Sequence, residues 1–276
     1  MPDIGIVEMR EIIAAIRSDF DYDFGNYALT SFKQRLEWIM GLHNIDDVPG
    51  LIAKLHNDRS YFDVFLHELN VPSTEMFRDP SVWRWLKDEY FRIMASRITE
   101  KIRIWLPACV SGGELFSLAI LLSEVGMLDK VHIIASCQSN KSIELIRSGF
   151  YDLKKMEVSE ENYKCLNSTN QLSKYFRPGL NWAFRDTRLI QHVEFSIMNI
   201  NFDNAPKNIR LILFRNSMIY YNFSHQDRIL HVMFNALSPS GNLLIGIREK
   251  ISGINTGRDF EFVNDSESVY RKRNLS

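Results

Sequence analysis

The sequence predicts an α/β fold, with an N-terminal helical bundle ahead of a mostly parallel, doubly wound sheet. Three observations predict it. Residues 1–70 carry apolar side chains at helical spacing and no strand pattern. From Ile102 onward, short β-branched runs alternate with helical stretches, as in the βα units of a parallel sheet. At the first such junction, Ile102 to Glu114 reads IRIWLPACVSGGE, a strand, a tight glycine turn and a helix start. Open α/β sheets begin a ligand site in this way. Glycines there let the backbone approach a ligand closely, and the helix N-terminus is mildly electropositive. The same pattern also serves as an ordinary βα turn.

Taking the chain in order, Met9, Ile12, Ile13 and Ile16 fall on one helical face. A polar and aromatic turn, DFDYDFGNYALTS, follows at 19–31. Thr30 or Ser31 is placed to cap a helix from Phe32 to His43, on which Phe32, Leu36, Ile39 and Met40 share a face. Pro49 fits the first turn of a helix from Gly50 to His56. Tyr61 to Leu69 is a further amphipathic set. Pro72 and Pro80 bracket an irregular link, and Val82 to Ile98 reads as a helix offering Trp83, Leu86, Phe91 and Met94 for burial. The expected division is a helical domain over 1–75, a linker helix over 76–101 and an α/β domain over 102–276.

In the α/β part, strands are predicted at 102–106, 131–136, 193–197, 210–215 and 242–247. Helices are predicted at 115–125, 139–147 and 227–237. Residues 260–263 and 268–272 read as a closing hairpin. Trp105 and Met218 are expected in the core, and Glu249 as a solvated carboxylate.

Composition excludes several classes. The chain has 276 residues and a net charge of −1, so there is no global argument for nucleic acid or an anionic membrane. Cys109, Cys137 and Cys165 show no metal-type or disulfide spacing, which points to a reducing compartment and no structural metal. The N-terminus lacks the basic and apolar pattern of a signal peptide. No apolar run approaches the ~20 residues of a membrane span, so a cytoplasmic location is expected. Charge is polarised: residues 1–70 hold 6 bases and 12 acids, a balance of −6, and the remainder carries +5.

Several segments, in order, carry a resemblance. NYALTSFKQRLEWIMGLHNID is followed by TEMFRDP and RIWLPACVSGGELFSLAILL. After these come ELIRSGFYDL, KYF, VEFSIMNI, LILFRNSMIYYN, LLIGIREKI and VYRKR. Over roughly residues 20–272 the chain resembles the CheR-type chemotaxis receptor methyltransferases, which are S-adenosylmethionine-dependent protein-glutamate O-methyltransferases. The resemblance implies a helical domain that meets a protein substrate or receptor segment. It also implies a Rossmann-like methyltransferase domain with a small β-subdomain inserted at about 150–195. The implied cofactor is S-adenosylmethionine, with S-adenosylhomocysteine as product.

Methylating a glutamate side chain is an in-line attack of a carboxylate on a sulfonium methyl. The acceptor is ionised at neutral pH, so such a site needs alignment, water exclusion and aimed donors rather than a strong base. By resemblance, Thr74 and Arg78 face cofactor and acceptor, Arg215 and Tyr220 line the acceptor site, and Asn216 meets the cofactor. Gly112 and Glu114 form the cofactor turn, Asn199 and Ile200 flank the adenine, and Cys137 stands at the ribose position. Plainer roles stay open: a capping Thr74, a surface Arg78, a core Tyr220 and a turn-forming Asn199. The seven histidines show neither catalytic nor metal-ligand spacing.

The chain also departs from the pattern. The glycine turn usually runs AGCSTGEE and here runs PACVSGGE, so Gly113 replaces the first glutamate and Pro107 a small residue. The second strand usually ends in Asp, which accepts the ribose hydroxyls, and here ends in Cys137 with Gln138 next to it. A thiol is a poor acceptor, and losing a charged one costs roughly 1.5–3 kcal/mol per hydrogen bond. Three readings stay open: a working methyltransferase, a catalytically silent binding module, and an enzyme with another acceptor.

Overall fold

Four helices open the chain: α1 (Ile6–Phe20), α2 (Leu29–Leu42), α3 (Val48–Asn57) and α4 (Tyr61–Leu69). The structure, a computed structural model, describes residues 3–70, 75–96, 100–179, 182–199 and 201–273. The helical faces read from the sequence are buried: Met9, Ile12 and Ile16 on α1, and Phe32, Leu36, Ile39 and Met40 on α2. Helix α2 begins at Leu29 rather than Phe32, and no side chain caps it. Asp47 caps α3 by accepting from Gly50 N at 2.8 Å, with Pro49 in the first turn.

The linker is less regular than its periodicity predicts. Helix α5 (Pro80–Trp85) passes into a π-helical segment, Leu86–Phe91, before α6 (Arg92–Ala95). Trp83, Leu86 and Phe91 are buried within it.

The α/β part then runs β1 (Ile102–Leu106), α7 (Gly113–Glu124), β2 (Val131–Cys137) and α8 (Asn140–Ser148). It continues with β3 (Phe150–Asp152), α9 (Met156–Lys164), β4 (Phe176–Pro178), β5 (Trp182–Arg185) and β6 (Glu194–Ile197). The last elements are β7 (Ile209–Phe214), α10 (Phe223–Ala236), β8 (Leu237–Ile245), β9 (Phe260–Asn264) and β10 (Val269–Lys272). The main sheet has the order β6-β2-β1-β7-β8-β10-β9. Its first five strands are parallel, and the closing hairpin pairs antiparallel through β10 against β8. From β1 the chain winds outward to β2 and β6, then returns to start β7 on the other side. The carboxyl ends of β1 and β7 therefore frame the crevice where such sheets take ligands. A separate antiparallel sheet, β3-β5-β4, forms the small inserted unit.

One apolar cluster runs without a break from the helical bundle onto the α10 face of the sheet. It joins Ile12, Phe32, Leu51 and Phe65 to Trp105, Phe214 and Met233. The helical domain is also fixed at two polar points beside the crevice. Backbone bonds link Ala28 N to Tyr220 O at 2.8 Å and Asn222 N to Asn26 O at 2.9 Å. On the other side, Asp63 of α4 accepts from Asn140 N and Lys141 N, both at 2.7 Å, and so caps α8 from another domain. His67 Nδ1 lies 2.8 Å from Ser142 Oγ of the same helix.

Two outcomes follow from this clasp. Asp63→Ala removes the cross-domain cap and is expected to cost about 1 kcal/mol, lowering Tm by roughly 2–4 °C in thermal unfolding. Burial holds the His67 imidazole below its ordinary value of 6.5. The unfolded chain then binds the proton first, so stability falls as pH drops through about 6.5 toward the depressed native value. His67→Gln should flatten that part of the stability–pH curve measured by denaturant unfolding.

Candidate active site

At the end of β1 the chain does not turn at once. Cys109 N still donates to Ser136 O at 2.9 Å, extending the pairing with β2. Gly112 then takes φ +74°, a left-handed conformation that suits glycine, and starts α7. A Cβ there would lie 3.0 Å from Ile146 of α8. Glu114, in the first turn of α7, projects back toward the end of β7.

Arg215, immediately after β7, meets it. Its Nη1 lies 3.0 Å from Glu114 Oε1, and its Nη2 lies 2.6 Å from Asp79 Oδ2 and 3.0 Å from the carbonyl of Arg78. The guanidinium sits 5.7 Å from the centre of the Trp83 ring, and the side chain is 3% exposed. One buried cation thus joins the linker loop, the glycine-turn helix and the end of β7. Burial pushes the Glu114 carboxyl up, against the pull of Arg215.

The segment after Arg215 is organised by Glu249. Its Oε2 accepts from Asn216 N at 2.9 Å and Gly246 N at 2.8 Å, and its Oε1 from Met218 N at 2.8 Å. The expectation that Glu249 is solvated is wrong: it is 5% exposed. Burial raises its pKa, and the backbone N–H groups work against that rise. Three residues around the crevice hold positive φ without being glycine, Phe77 at 53°, Asp79 at 55° and Asn216 at 54°. For a bulky residue such as Phe77 this conformation is strained, by about 1–3 kcal/mol.

These segments enclose a cavity of about 330 Å³, within the size range of small-molecule sites. Of the residues singled out in the sequence, Arg78, Gly112, Glu114, Arg215, Asn216 and Tyr220 line it together. Arg78 is 42% exposed, with Glu75 3.7 Å away. Burial pushes the Tyr220 hydroxyl up. Thr74 and Ile200 lie outside the described residues. Asn199 is not on the cavity wall; its side chain bonds Asp203 and accepts from Asn201 N, as a turn former does.

Cys137 does not face the cavity either. It is 2% exposed and packs against Cys109, whose hydrogen bond, with burial, drives the thiol well above its usual range. Strand alternation turns the next residue, Gln138, onto the wall instead. Asn70 Nδ2 lies 3.3 Å from Gln138 Oε1, and the neighbouring Gln138 amide works against the rise that burial gives the Tyr27 and Tyr221 hydroxyls. In the sequence, Gln138 is only the neighbour of Cys137 at the end of the second strand. Asp79 and Glu249 carried no site role there, although Asp79 sits within the quoted TEMFRDP.

Residues 72–268 match the SAM-binding domain of CheR methyltransferases, and residues 8–69 match their all-alpha domain. The chain belongs to the CheR methyltransferase family. Cher3 of Pseudomonas putida is 29% identical over 266 residues, covering 96% of this chain and 97% of that one. The chemotaxis protein methyltransferase of Salmonella typhimurium is 27% identical over 223 residues, covering 76% and 72%. Chemotaxis protein methyltransferase 1 of Pseudomonas aeruginosa is 25% identical over 234 residues, covering 80% and 82%. The fold is thus an all-alpha CheR domain followed by a methyltransferase domain, and the family's chemistry is S-adenosylmethionine-dependent methylation.

The cavity suits that CheR cofactor in its donor set. Glu114 brings a carboxylate to the wall and Gln138 an amide, groups able to take up the ammonium and hydroxyls of such a cofactor. The Gly112 turn leaves backbone exposed between them. The departure from the usual pattern is that Cys137 and Gln138, at the end of β2, bring no carboxylate there.

The Arg215 junction predicts a large stability effect. Arg215→Met leaves Glu114 and Asp79 facing one another without a cation and should cost about 3–5 kcal/mol in denaturant unfolding. Arg215→Lys keeps the charge but not the fork that spans both carboxylates, and should recover only part of that loss.

Proposed function

We propose that the chain is a protein-glutamate O-methyltransferase that transfers methyl groups from S-adenosylmethionine to carboxylates of a protein substrate. The observation that carries this reading is the absence of a free base on the cleft wall. Among the described residues lining the cavity there is no histidine and no lysine. The carboxylates there are engaged, Glu75 with Arg78, Glu114 with Arg215, and Glu249 with backbone N–H groups. An amine acceptor must shed a proton held near pKa ~10, whereas a carboxylate is already ionised at neutral pH.

When bound, S-adenosylmethionine supplies an electrophilic sulfonium methyl group. The chain's own groups supply alignment. Arg78 and the exposed Arg248 present cations to an anionic acceptor at the cleft. Tyr220, its hydroxyl pKa raised by burial, remains a hydrogen-bond donor at neutral pH. Glu249 holds the backbone that carries Asn216 and Met218, and so fixes where Tyr220 points. The Gly112 turn and the Asn70–Gln138 contact shield the other end from water. The chemotaxis methyltransferases among the relatives support a protein substrate, with a chemotaxis receptor as an example.

A second reading rests on one specific observation. Cys137 and Gly113 stand where the family pattern has carboxylates, which favours a catalytically silent module that recognises a partner. Calorimetry with S-adenosylhomocysteine separates the two: micromolar binding supports the enzyme, and no binding at millimolar ligand leaves the binding module. For the enzyme, methyl-labelled cofactor and a cell extract should yield labelled protein that releases methanol in alkali, as esters do. Arg78→Ala and Tyr220→Phe should each slow labelling by roughly tenfold or more. Label that survives alkali would overturn the carboxylate acceptor.

A further inference from the structure

Arg185 ends β5 of the inserted sheet, yet its side chain leaves that sheet. Nη2 donates to the carbonyl of Ser111 at 3.0 Å and to that of Phe150 at 2.9 Å, and Nε reaches Gly149 O at 3.4 Å. The guanidinium lies 4.2 Å from the centre of the Phe116 ring on α7 and 5.3 Å from that of Tyr151. The residue is 2% exposed. Among the described residues its hydrogen-bond partners are all backbone carbonyls, with no carboxylate among them, and burial draws its pKa down to about 10, so it stays charged at neutral pH.

A buried cation compensated only by carbonyls and ring faces is costly. Local stability of the insert does not require it to reach so far, because Gly149 and Phe150 already supply carbonyls within the insert. The Ser111 carbonyl belongs to the glycine turn. Beside it, a Cβ on Gly112 would lie 3.5 Å from Nη1, so the guanidinium also packs against the left-handed residue of that turn. Ser111, Gly112 and Glu114 all line the cavity, while Arg185 does not.

We propose that Arg185 is a positioning residue, through which the inserted sheet holds the Ser111–Gly112 turn in the shape that receives the cofactor. It touches neither cofactor nor acceptor. Its effect passes through the Ser111 carbonyl and the packing beneath Gly112. Cofactor affinity and the seating of the insert are then coupled, and the coupling is reciprocal. The inference rests on the family's use of S-adenosylmethionine at this turn, and its test has one readout that needs no cofactor.

Amide hydrogen exchange of residues 109–114 in the free protein is the first measurement, with wild type, Arg185→Met and Arg185→Lys compared. Exchange at the turn should speed up roughly tenfold or more in Arg185→Met, the scale of one lost charge-assisted hydrogen bond, with β8 and α10 unchanged. Arg185→Lys keeps the charge but cannot span Ser111 and Phe150 together, and should loosen the turn to a smaller degree. Should Arg185→Met fail to fold, Arg185→Lys carries the test. The second measurement is S-adenosylhomocysteine affinity by calorimetry, which should weaken in the same order as the turn loosens. Variants that lose thermal stability but keep wild-type exchange at the turn, or wild-type affinity, would overturn the proposal. A wild type that binds no S-adenosylhomocysteine would sink the cofactor reading alone, and the exchange measurement would still decide Arg185.

Discussion

The site depends on one buried guanidinium. Arg215 holds Asp79 and the Arg78 carbonyl on one branch and Glu114 on the other, so three segments distant in sequence converge on its planar fork. Burying such a charge is favourable only when geometry and partners compensate its desolvation. Here two carboxylates and a carbonyl do so, with the Trp83 face behind. The interaction sits at the switch point of the sheet, beside the end of β7 and the start of α7. The linker loop, which belongs to neither domain's regular structure, is thereby made a wall of the cavity. Family resemblance assigns Arg215 to the acceptor. In the structure both of its terminal nitrogens are engaged in organising the walls, while Arg78 and Arg248 stand more exposed on the cavity wall.

Glu249 does the complementary work with backbone. A carboxylate accepts from several N–H groups at once, and here they come from 216, 218 and 246. Asn216 stays left-handed, and the chain between β7 and α10 is held open around the cavity rather than collapsing into it. An unsatisfied buried carboxylate costs several kcal/mol in general, so the acid and the loop need each other. The helical domain presses on the same loop through the Tyr27–Tyr221 bridge and the Ala28–Tyr220 bond. The orientation of Tyr220 is therefore set from the strand end, from Glu249 and from the other domain.

Much of this architecture was legible in the sequence, because periodicity reports which faces are buried. The helical faces of α1 and α2, the β1-turn-α7 junction and the closing hairpin follow from apolar spacing alone. What failed was local context that only folding supplies. Glu249 lies in a run of charged residues, REK, and reads as solvated; its partners are backbone groups, those of 216 and 218 far along the chain, which carry no signal in composition. The α5 run looks like one helix, yet burying Leu86 and Phe91 is achieved through a π-helical segment. At the second strand, the family pattern directs attention to Cys137, whereas strand alternation puts Gln138 on the cavity wall. Asp79 sits in a quoted motif, but its role depends on Arg215, which is 136 residues away.

The two ends of the cavity are built to different standards. Around Arg215 and Glu249, charged groups are paired, strained backbone is held by several independent contacts, and Arg78 remains accessible. At the other end, the neutral amide of Gln138, in contact with Asn70, stands next to Cys137, where the family pattern has a carboxylate. An amide can both donate and accept, but without the strength of a charged acceptor. The helical domain reaches this end through Asn70, which follows α4. The setting of that amide therefore depends on how the helical domain is docked. The clasp of Asp63 and His67 on α8, immediately beyond Gln138, holds that docking in place, although neither residue lines the cavity.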